Sequence, residues 1–307
     1  MEKLYQEIKR NFERNLSILD DKPEETIDST IKALWMKAYG ISVSAEKATH
    51  LSLPNLSDSQ KMTLLQLIEK RMNGIPLAHL TERQNFMGIE LLCDKRALIP
   101  RQETEILGKT VLEYCKKLAE KKSIIHILDI CCGSGNLGLV IASLLPNAIV
   151  HSSDLSYEAV ELAKDNISFF NLGKRVIAIQ SDLFTNFESE EYWCKIDLIV
   201  CNPPYISSSK VSKMDSEIAS NEPAMALDGG FIGLKIIQKL IHESPKFLSD
   251  KGWLIFEVGL GQGPFIIQLC KNSESYDLIT SATDNLGNIR VIAVCRKHGM
   301  NEFNSNV

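Results

Sequence analysis

Asn202-Pro203-Pro204-Tyr205 follows the apolar run 196–201 and so should stand at the carboxyl end of a buried strand, where open α/β sheets place their ligands. The Asn202 side-chain oxygen can accept a hydrogen bond, and the Pro203 carbonyl is a second acceptor beside it. Two adjacent acceptors suit one planar NH2 group, and the Tyr205 ring offers a face on which that group can stack. An amide or aromatic amine held in this way has its nitrogen lone pair turned out of conjugation and towards an electrophile. Catalysis is therefore assigned to Asn202, Pro203 and Tyr205, and acceptor binding to Asn202, Pro203, Pro204 and Tyr205. The competing reading is a strand-ending turn, since Asn and Pro are turn formers.

The electrophile would be held upstream. Residues 127–138 run from an apolar strand through a glycine turn into the helical pattern Leu137, Val140, Ile141, Leu144. Glycines at a strand-to-helix junction let backbone approach a ligand closely, which makes Asp129, Cys131, Cys132, Gly133, Ser134 and Gly135 candidate cofactor contacts. Residues 148–154 read as a second strand ending at Asp154, whose carboxylate can accept both hydroxyls of a ribose. A glycine turn plus an acid also marks dinucleotide enzymes. The expected ligand here is S-adenosylmethionine, with a ribose and an adenine to hold and no phosphate, and with Asn202 near its methionine end.

Taken together these residues resemble the HemK/PrmC family, the protein-(glutamine-N5) methyltransferases that modify peptide chain release factors. The resemblance spans nearly the whole chain. Gly74-Ile75-Pro76 and Phe86-Met87-Gly88 are similar to the family's linker, and residues 98–105, Leu-Ile-Pro-Arg-Gln-Glu-Thr-Glu, to its Ile-Pro-Arg-Pro-Glu-Thr-Glu signature. Asn202 through Ile206 matches fully, as do Glu222-Pro223, Ala226-Leu227, Gly229-Gly230, Gly233-Leu234, Glu257, Gly259 and Gln262. Departures stand at Gln102 for proline, Ile232 for aspartate, and Cys131-Cys132 for a common Gly-Thr pair. They leave open a paralogue with a small-molecule or other protein acceptor.

The resemblance implies S-adenosylmethionine-dependent N5-methylation of the glutamine in a release factor's Gly-Gly-Gln motif. It places Arg101 and Thr104 over the methionine end of the cofactor, although Glu103-Thr104-Glu105 also reads as the polar first turn of a helix. Asp182-Leu183 would meet adenine, the carboxylate at its exocyclic amine and Leu183 against the ring; a turn or cap is the alternative for Asp182. Glu222-Pro223 and Gly229-Gly230 would shape the acceptor pocket, and Glu257 reads as structural.

The elements that must position these residues follow from periodicity. Residues 1–83 read as a small helical domain, with Leu4, Ile8, Phe12 and Leu16 on one face, then Ile27, Ile31, Leu34 and Trp35, then Met62, Leu65 and Ile68, the last stretch capped by Ser57 or Asp58. By the resemblance this domain orients a protein substrate. Residues 84–98 read as a β-hairpin linker, 99–300 as the catalytic domain, and 301–307 as a frayed tail. Apolar strands at 124–130, 148–153, 175–180, 196–201, 252–258, 276–280 and 290–295 alternate with helical patterns, which predicts an α/β doubly wound parallel sheet. The last two strands are too close in sequence for a helical crossover and should pair as an antiparallel hairpin. This is the seven-stranded class I methyltransferase layout, behind a small N-terminal helical domain.

A net charge of −5 argues against a protein that lives on nucleic acid, and so against a nucleobase acceptor. The Lys116, Lys117, Lys121, Lys122 cluster reads as a solvated helix end. Eight cysteines show neither zinc spacing nor a disulfide framework, so no metal is expected. Cys201 and Cys295 read as small core residues. The charged start of the chain and the lack of any apolar run of membrane-spanning length lead to the expectation of a soluble, cytoplasmic protein; a monomer is expected, and the resemblance implies a release factor as its partner.

Overall fold

The computed structural model describes residues 1–19, 21–211, 213–230 and 233–299. The departure at Ile232 and the tail 301–307 lie outside the described residues. Helices α1 (Glu2–Asn15), α2 (Ile27–Tyr39), α3 (Ala45–Thr49), α4 (Asp58–Met72) and α5 (Leu77–Thr81) come first, then the antiparallel hairpin β1 (Arg83–Phe86) and β2 (Ile89–Leu92). After α6 (Thr104–Ala119), strands and helices alternate as β3 (Ile125–Ile130), α7 (Asn136–Leu144), β4 (Ala148–Asp154), α8 (Tyr157–Phe169), β5 (Val176–Gln180) and β6 (Ile196–Cys201). Short helices α9 (Ser208–Val211) and α10 (Ser216–Asn221) precede α11 (Lys235–Glu243), β7 (Leu248–Glu257), α12 (Gly263–Lys271), β8 (Tyr276–Thr283) and β9 (Ile289–Arg296).

These elements divide into two compact units. One holds residues 1–102 and 214–223; the other holds 103–213 and 224–307. The chain thus leaves the sheet unit after Lys213, gives ten residues including α10 to the helical unit, and returns at Ala224.

In the helical unit α2 is central, with Ile31, Leu34 and Trp35 buried among Phe12, Leu64 and Ile68. The Trp35 indole N–H meets its need for a partner at the Pro54 carbonyl, 2.9 Å away. A capping box closes the start of α4: the Ser57 hydroxyl accepts from the Gln60 N–H, and the Gln60 side chain accepts from the Ser57 N–H. The predicted face of α4 is corrected. Met62 and Leu65 are exposed, and the buried stripe is Leu64, Leu67, Ile68 and Arg71. Met62, Leu65 and Ile68 form a second apolar row at helical spacing beside Leu64, Leu67 and Ile68, so periodicity alone does not say which of the two is buried.

Arg71 is tolerated inside because it is paired. Its guanidinium reaches Glu217 at 2.6 Å and Glu25 at 3.1 Å, and Lys22 joins Glu217 at 2.9 Å. All four side chains are buried, two of each sign. Glu217 comes from the ten-residue segment 214–223, whose Glu222 likewise accepts from Arg101 at 2.6 Å and from the Ile99 N–H at 2.9 Å.

The sheet unit is seven-stranded in the order β5-β4-β3-β6-β7-β9-β8, parallel from β5 to β7 and antiparallel at β9 and β8. The chain goes from β3 outward through β4 to β5, and then returns to β6 on the other side of β3. The carboxyl ends of β3 and β6 therefore flank the topological switch point, where doubly wound folds open a crevice. Strand β6 is buried at every residue, as expected for a central parallel strand covered on both faces. Among the described residues no helix is long and apolar enough to cross a membrane.

Candidate functional site

Pairing of Ile130 with Cys201 sets the register at the switch point, so Cys131 and Asn202 are the first residues beyond two neighbouring parallel strands. The glycine turn begins at the first and the clamp motif at the second. Asp154 and Glu257 end β4 and β7, so that four adjacent strand ends deliver the site.

Two carboxylates govern the glycine turn. The Gly133 N–H donates to Asp154 Oδ2 at 2.9 Å, and the Gly138 N–H to Asp129 Oδ2 at 3.0 Å. The Gly135 N–H donates to the Cys132 carbonyl at 2.8 Å. Gly133, Gly135 and Gly138 satisfy Gly-x-Gly-x-x-Gly, so glycine spacing does not distinguish this turn from a dinucleotide site. Its hydrogen bonding does. The N–H groups of all three glycines are committed to acceptors inside the protein, which leaves none of them to cradle a pyrophosphate. Gly133 (φ 54°) has open space where a Cβ would stand. The buried atoms Asp129 Oδ1, Ser134 Oγ and Ser153 Oγ have no hydrogen-bond partner within the protein. Unmet polar atoms beside an open backbone are what a polar cationic ligand such as S-adenosylmethionine requires.

Burial pushes the Asp129 carboxyl up to about 7, against the Gly138 N–H, which favours the anion. Relative to an unfolded carboxyl, a raised pKa contributes stability at low pH that is lost as pH rises through the folded value. Ligand-free Asp129→Asn should therefore be more stable than the parent at pH 8, by on the order of a few kcal/mol. Urea unfolding from pH 4 to 8 checks this: the gap should widen up to about pH 7 and then level. A gap independent of pH would show that Asp129 does not titrate in this range.

At the clamp, the Asn202 Nδ2 group donates to Thr104 Oγ1 at 3.0 Å, and the Tyr205 hydroxyl donates to Glu257 Oε1 at 2.8 Å. Burial raises the Glu257 carboxyl, while the hydroxyls of Tyr205 and Thr104 and the charge of Arg290 oppose that rise. Burial also raises the Tyr205 phenol, and Glu257 adds to it, so the hydroxyl is a donor throughout the physiological range. Gln262 fastens the motif's backbone, its Oε1 accepting from the Gly259 N–H at 2.9 Å and its Nε2 donating to the Tyr205 carbonyl at 3.0 Å. Gly233 (φ 71°) lies so near that a Cβ there would stand 2.1 Å from the same carbonyl. The glycine of the Gly233-Leu234 pair is thus explained by close approach.

The structure brings Asn202, Tyr205 and Thr104 together at one strand end, and Asp129, Cys131, Cys132, Gly133, Ser134, Gly135 and Asp154 around the turn. Thr104 is the first residue of α6. Pro203 is buried and Pro204 half-buried. Arg101 belongs by its contacts to the helical unit, where Glu222 and Asp21 hold it. Asp182 is exposed and pairs with Lys239 at 3.2 Å, whereas Leu183 is buried in the sheet unit's core. The sequence reading had no role for Thr104 as partner of Asn202 and none for Glu257 beneath Tyr205. One signal was available for Glu257, a charged residue closing the apolar run 253–256.

A family model described as "Methyltransferase small domain" matches residues 112–230. The "Release factor glutamine methyltransferase" of Thermodesulfovibrio yellowstonii is 34% identical over 239 residues, covering 78% of this chain and 83% of that protein. The protein of the same name from Clostridium botulinum is 36% identical over 208 residues, 68% of this chain and 71% of its own length. Among solved structures, the hMettl16 catalytic domain in complex with MAT2A 3'UTR hairpin 6 superposes with a TM-score of 0.53 at 15% identity, over 79% of this chain and 83% of that one. That likeness is one of fold alone.

Proposed function

This chain belongs to the release factor glutamine methyltransferase family, and we propose that it methylates N5 of a glutamine side chain in the Gly-Gly-Gln motif of a peptide chain release factor. It is a methyltransferase that uses S-adenosylmethionine. The observation that carries the acceptor reading is the hydrogen bond from Asn202 Nδ2 to Thr104. With its NH2 group committed, Asn202 has its carbonyl oxygen left to accept.

S-adenosylmethionine supplies a methyl group already activated by its sulfonium. Asp154, Asp129 and the turn from Cys131 to Gly135 would hold it, with Asp182 and Leu183 at its adenine. The difficulty lies at the acceptor, whose nitrogen lone pair is delocalised into its own carbonyl. Asn202 Oδ1 and the Pro203 carbonyl accept the two amide hydrogens, fix the plane of the NH2 group and stabilise positive charge as it develops on nitrogen. The Tyr205 ring packs against the amide. The methylated nitrogen is acidic and releases its proton to solvent, so no general base is needed. Residues 1–83, with the segment 214–223, would contact the folded release factor away from the reacting atoms, and the protein would act in the cytoplasm as a monomer.

The test is to incubate the protein with purified release factor and isotopically labelled cofactor. A mass gain of one methyl on the Gly-Gly-Gln glutamine is expected; methyl transfer to nucleic acid or to a small amide instead would overturn the acceptor assignment. For the cofactor half of the site, Asp154→Ala should weaken S-adenosylmethionine binding about tenfold or more, the loss of a charge-assisted hydrogen bond being about 1.5–3 kcal/mol. Titration calorimetry giving the parental affinity would remove Asp154 from the site.

A further inference from the structure

We propose that Gln262 is a positioning residue for methyl transfer: by holding the Tyr205 carbonyl it fixes the backbone of the clamp and so the place of the Pro203 acceptor. The inference rests on the clamp reading above and adds to it the group that keeps the clamp's backbone still.

Pro203 and Pro204 carry no N–H, so neither can be anchored by donating a hydrogen bond. The Pro203 carbonyl has to stay open for the acceptor's NH2 group. Anchorage of the motif therefore falls to Tyr205 and the residue after it. The Tyr205 carbonyl accepts from Gln262 Nε2 at 3.0 Å, and the Tyr205 hydroxyl donates to Glu257 Oε1 at 2.8 Å. The Ile206 N–H donates to the Leu227 carbonyl at 3.1 Å. The peptide unit that joins Tyr205 to Ile206 is thus held at its oxygen by Gln262 and at its N–H by Leu227, two residues beyond the Pro203 carbonyl.

Gln262 can do this in one orientation only. The Gly259 N–H donates to its Oε1 at 2.9 Å, and a carbonyl such as that of Tyr205 only accepts. The carboxamide cannot flip without losing both bonds. Glycine is needed on both sides of it: a Cβ on Gly259 would stand 2.8 Å from Gln262 Oε1, and one on Gly233 would stand 3.0 Å from its Nε2. The Gly233 carbonyl lies 3.4 Å from the same Nε2. One carboxamide therefore joins the turn after β7, the clamp and Gly233, and all of these residues lie in the sheet unit.

Gln262→Glu keeps the shape and the bond from Gly259 but sets a carboxylate oxygen against the Tyr205 carbonyl, two acceptors facing each other. Its protonated form carries one O–H donor and can restore the bond. Gln262→Met fills the same space with no donor at any pH. For each variant kcat and KM for release factor should be measured from pH 8.5 to 5.5 as ratios to the parent, with cofactor affinity from calorimetry. We expect both to lose about tenfold or more in kcat at pH 8.5, as misplacement of a reacting group by about 1 Å does. KM and cofactor affinity should stay within a few-fold of parental values. The kcat ratio of Gln262→Glu should climb as pH falls while that of Gln262→Met stays flat, a difference that a packing role alone would not produce.

A substrate-free measurement completes the test. Tyr205-Ile206 is the only Tyr-Ile pair in the chain, so protein labelled with 13C at tyrosine carbonyls and 15N at isoleucine gives one correlated amide signal, from the peptide unit in question. Its carbonyl resonance should move upfield in Gln262→Met and in Gln262→Glu at pH 8.5, where the hydrogen bond is lost. If the parent does not methylate release factor but this signal responds as stated, the acceptor reading fails and the tie stands. The proposal is overturned if Gln262→Met transfers at near the parental rate, if the Gln262→Glu ratio is flat with pH, if the kcat loss is matched by an equal loss of cofactor affinity, or if the signal does not move. Should Gln262→Met fail to fold, the pH profile and the carbonyl signal of Gln262→Glu decide on the same criteria.

Discussion

Asn202→Ala should slow methyl transfer to release factor by about a hundredfold or more, the range seen when a preorganised transition-state hydrogen bond is removed. The substitution deletes one of two acceptors for the glutamine NH2 group. The amide then rotates about its remaining hydrogen bond, and its lone pair is no longer held out of conjugation. The cofactor turn is left alone, because its N–H groups close onto Asp154, Asp129 and Cys132 rather than onto Asn202. Single-turnover rates should therefore fall while the S-adenosylmethionine dissociation constant moves by a few-fold at most. A variant that transfers at near the parental rate would sink the clamp, whatever the family. A rate loss matched by an equal loss of cofactor affinity would place Asn202 on the cofactor instead.

Arg71→Met should destabilise the helical unit by about 3–5 kcal/mol, the cost of leaving a buried charge without its partner. Arg71 stands between Glu25 and Glu217, with Lys22 as the second cation. Removing it leaves two buried carboxylates to one ammonium. Burial works to raise Glu217, but Lys22 and Arg71 outweigh it and hold the carboxyl below its usual range. A lowered carboxyl contributes stability above its unfolded pKa and loses it as pH falls through the folded one; Arg71→Met should flatten that acid limb. Glu25 behaves oppositely, its carboxyl raised by burial in spite of Lys22 and Arg71. Arg71→Met combined with Glu217→Met restores one cation to one anion and should recover much of the loss, as apolar replacement of buried ion pairs commonly does. Urea unfolding followed by fluorescence with Trp193 and Trp253 replaced by Phe, so that Trp35 alone reports, measures both variants. A cost below about 1 kcal/mol for the single substitution would show that these charges are solvated rather than buried.

Much of the sheet unit was legible in the sequence because its signals are local. The seven apolar runs, their spacing by helical patterns, and the short link before the last strand specify parallel strands and a terminal hairpin through periodicity and loop length alone. The Asn-Pro-Pro-Tyr motif and the glycine turn were legible for the same reason, each being a run of adjacent residues that ends or follows a strand. The order in which those strands lie is not local, and only the folded sheet places β3 beside β6 and so makes neighbours of residues about 70 positions apart in the chain.

What the sequence by itself determined is the set of chemical groups: two acceptors in series at Asn202 and Pro203, a stacking ring at Tyr205, a carboxylate at Asp154 and a close-approach turn at Gly133. What only tertiary structure decided is the state of those groups. Thr104 lies 98 positions from Asn202 and Glu257 lies 52 from Tyr205, so no local pattern reports that one consumes the Asn202 NH2 group and the other holds the phenol. The face of α4 was misread because two apolar rows share that helix and only packing chooses between them, and the buried place of Arg71 depends on Glu217, which arrives from 146 positions away. Hydrogen-bond polarity and charge compensation depend on which atoms meet, and periodicity carries no information about that.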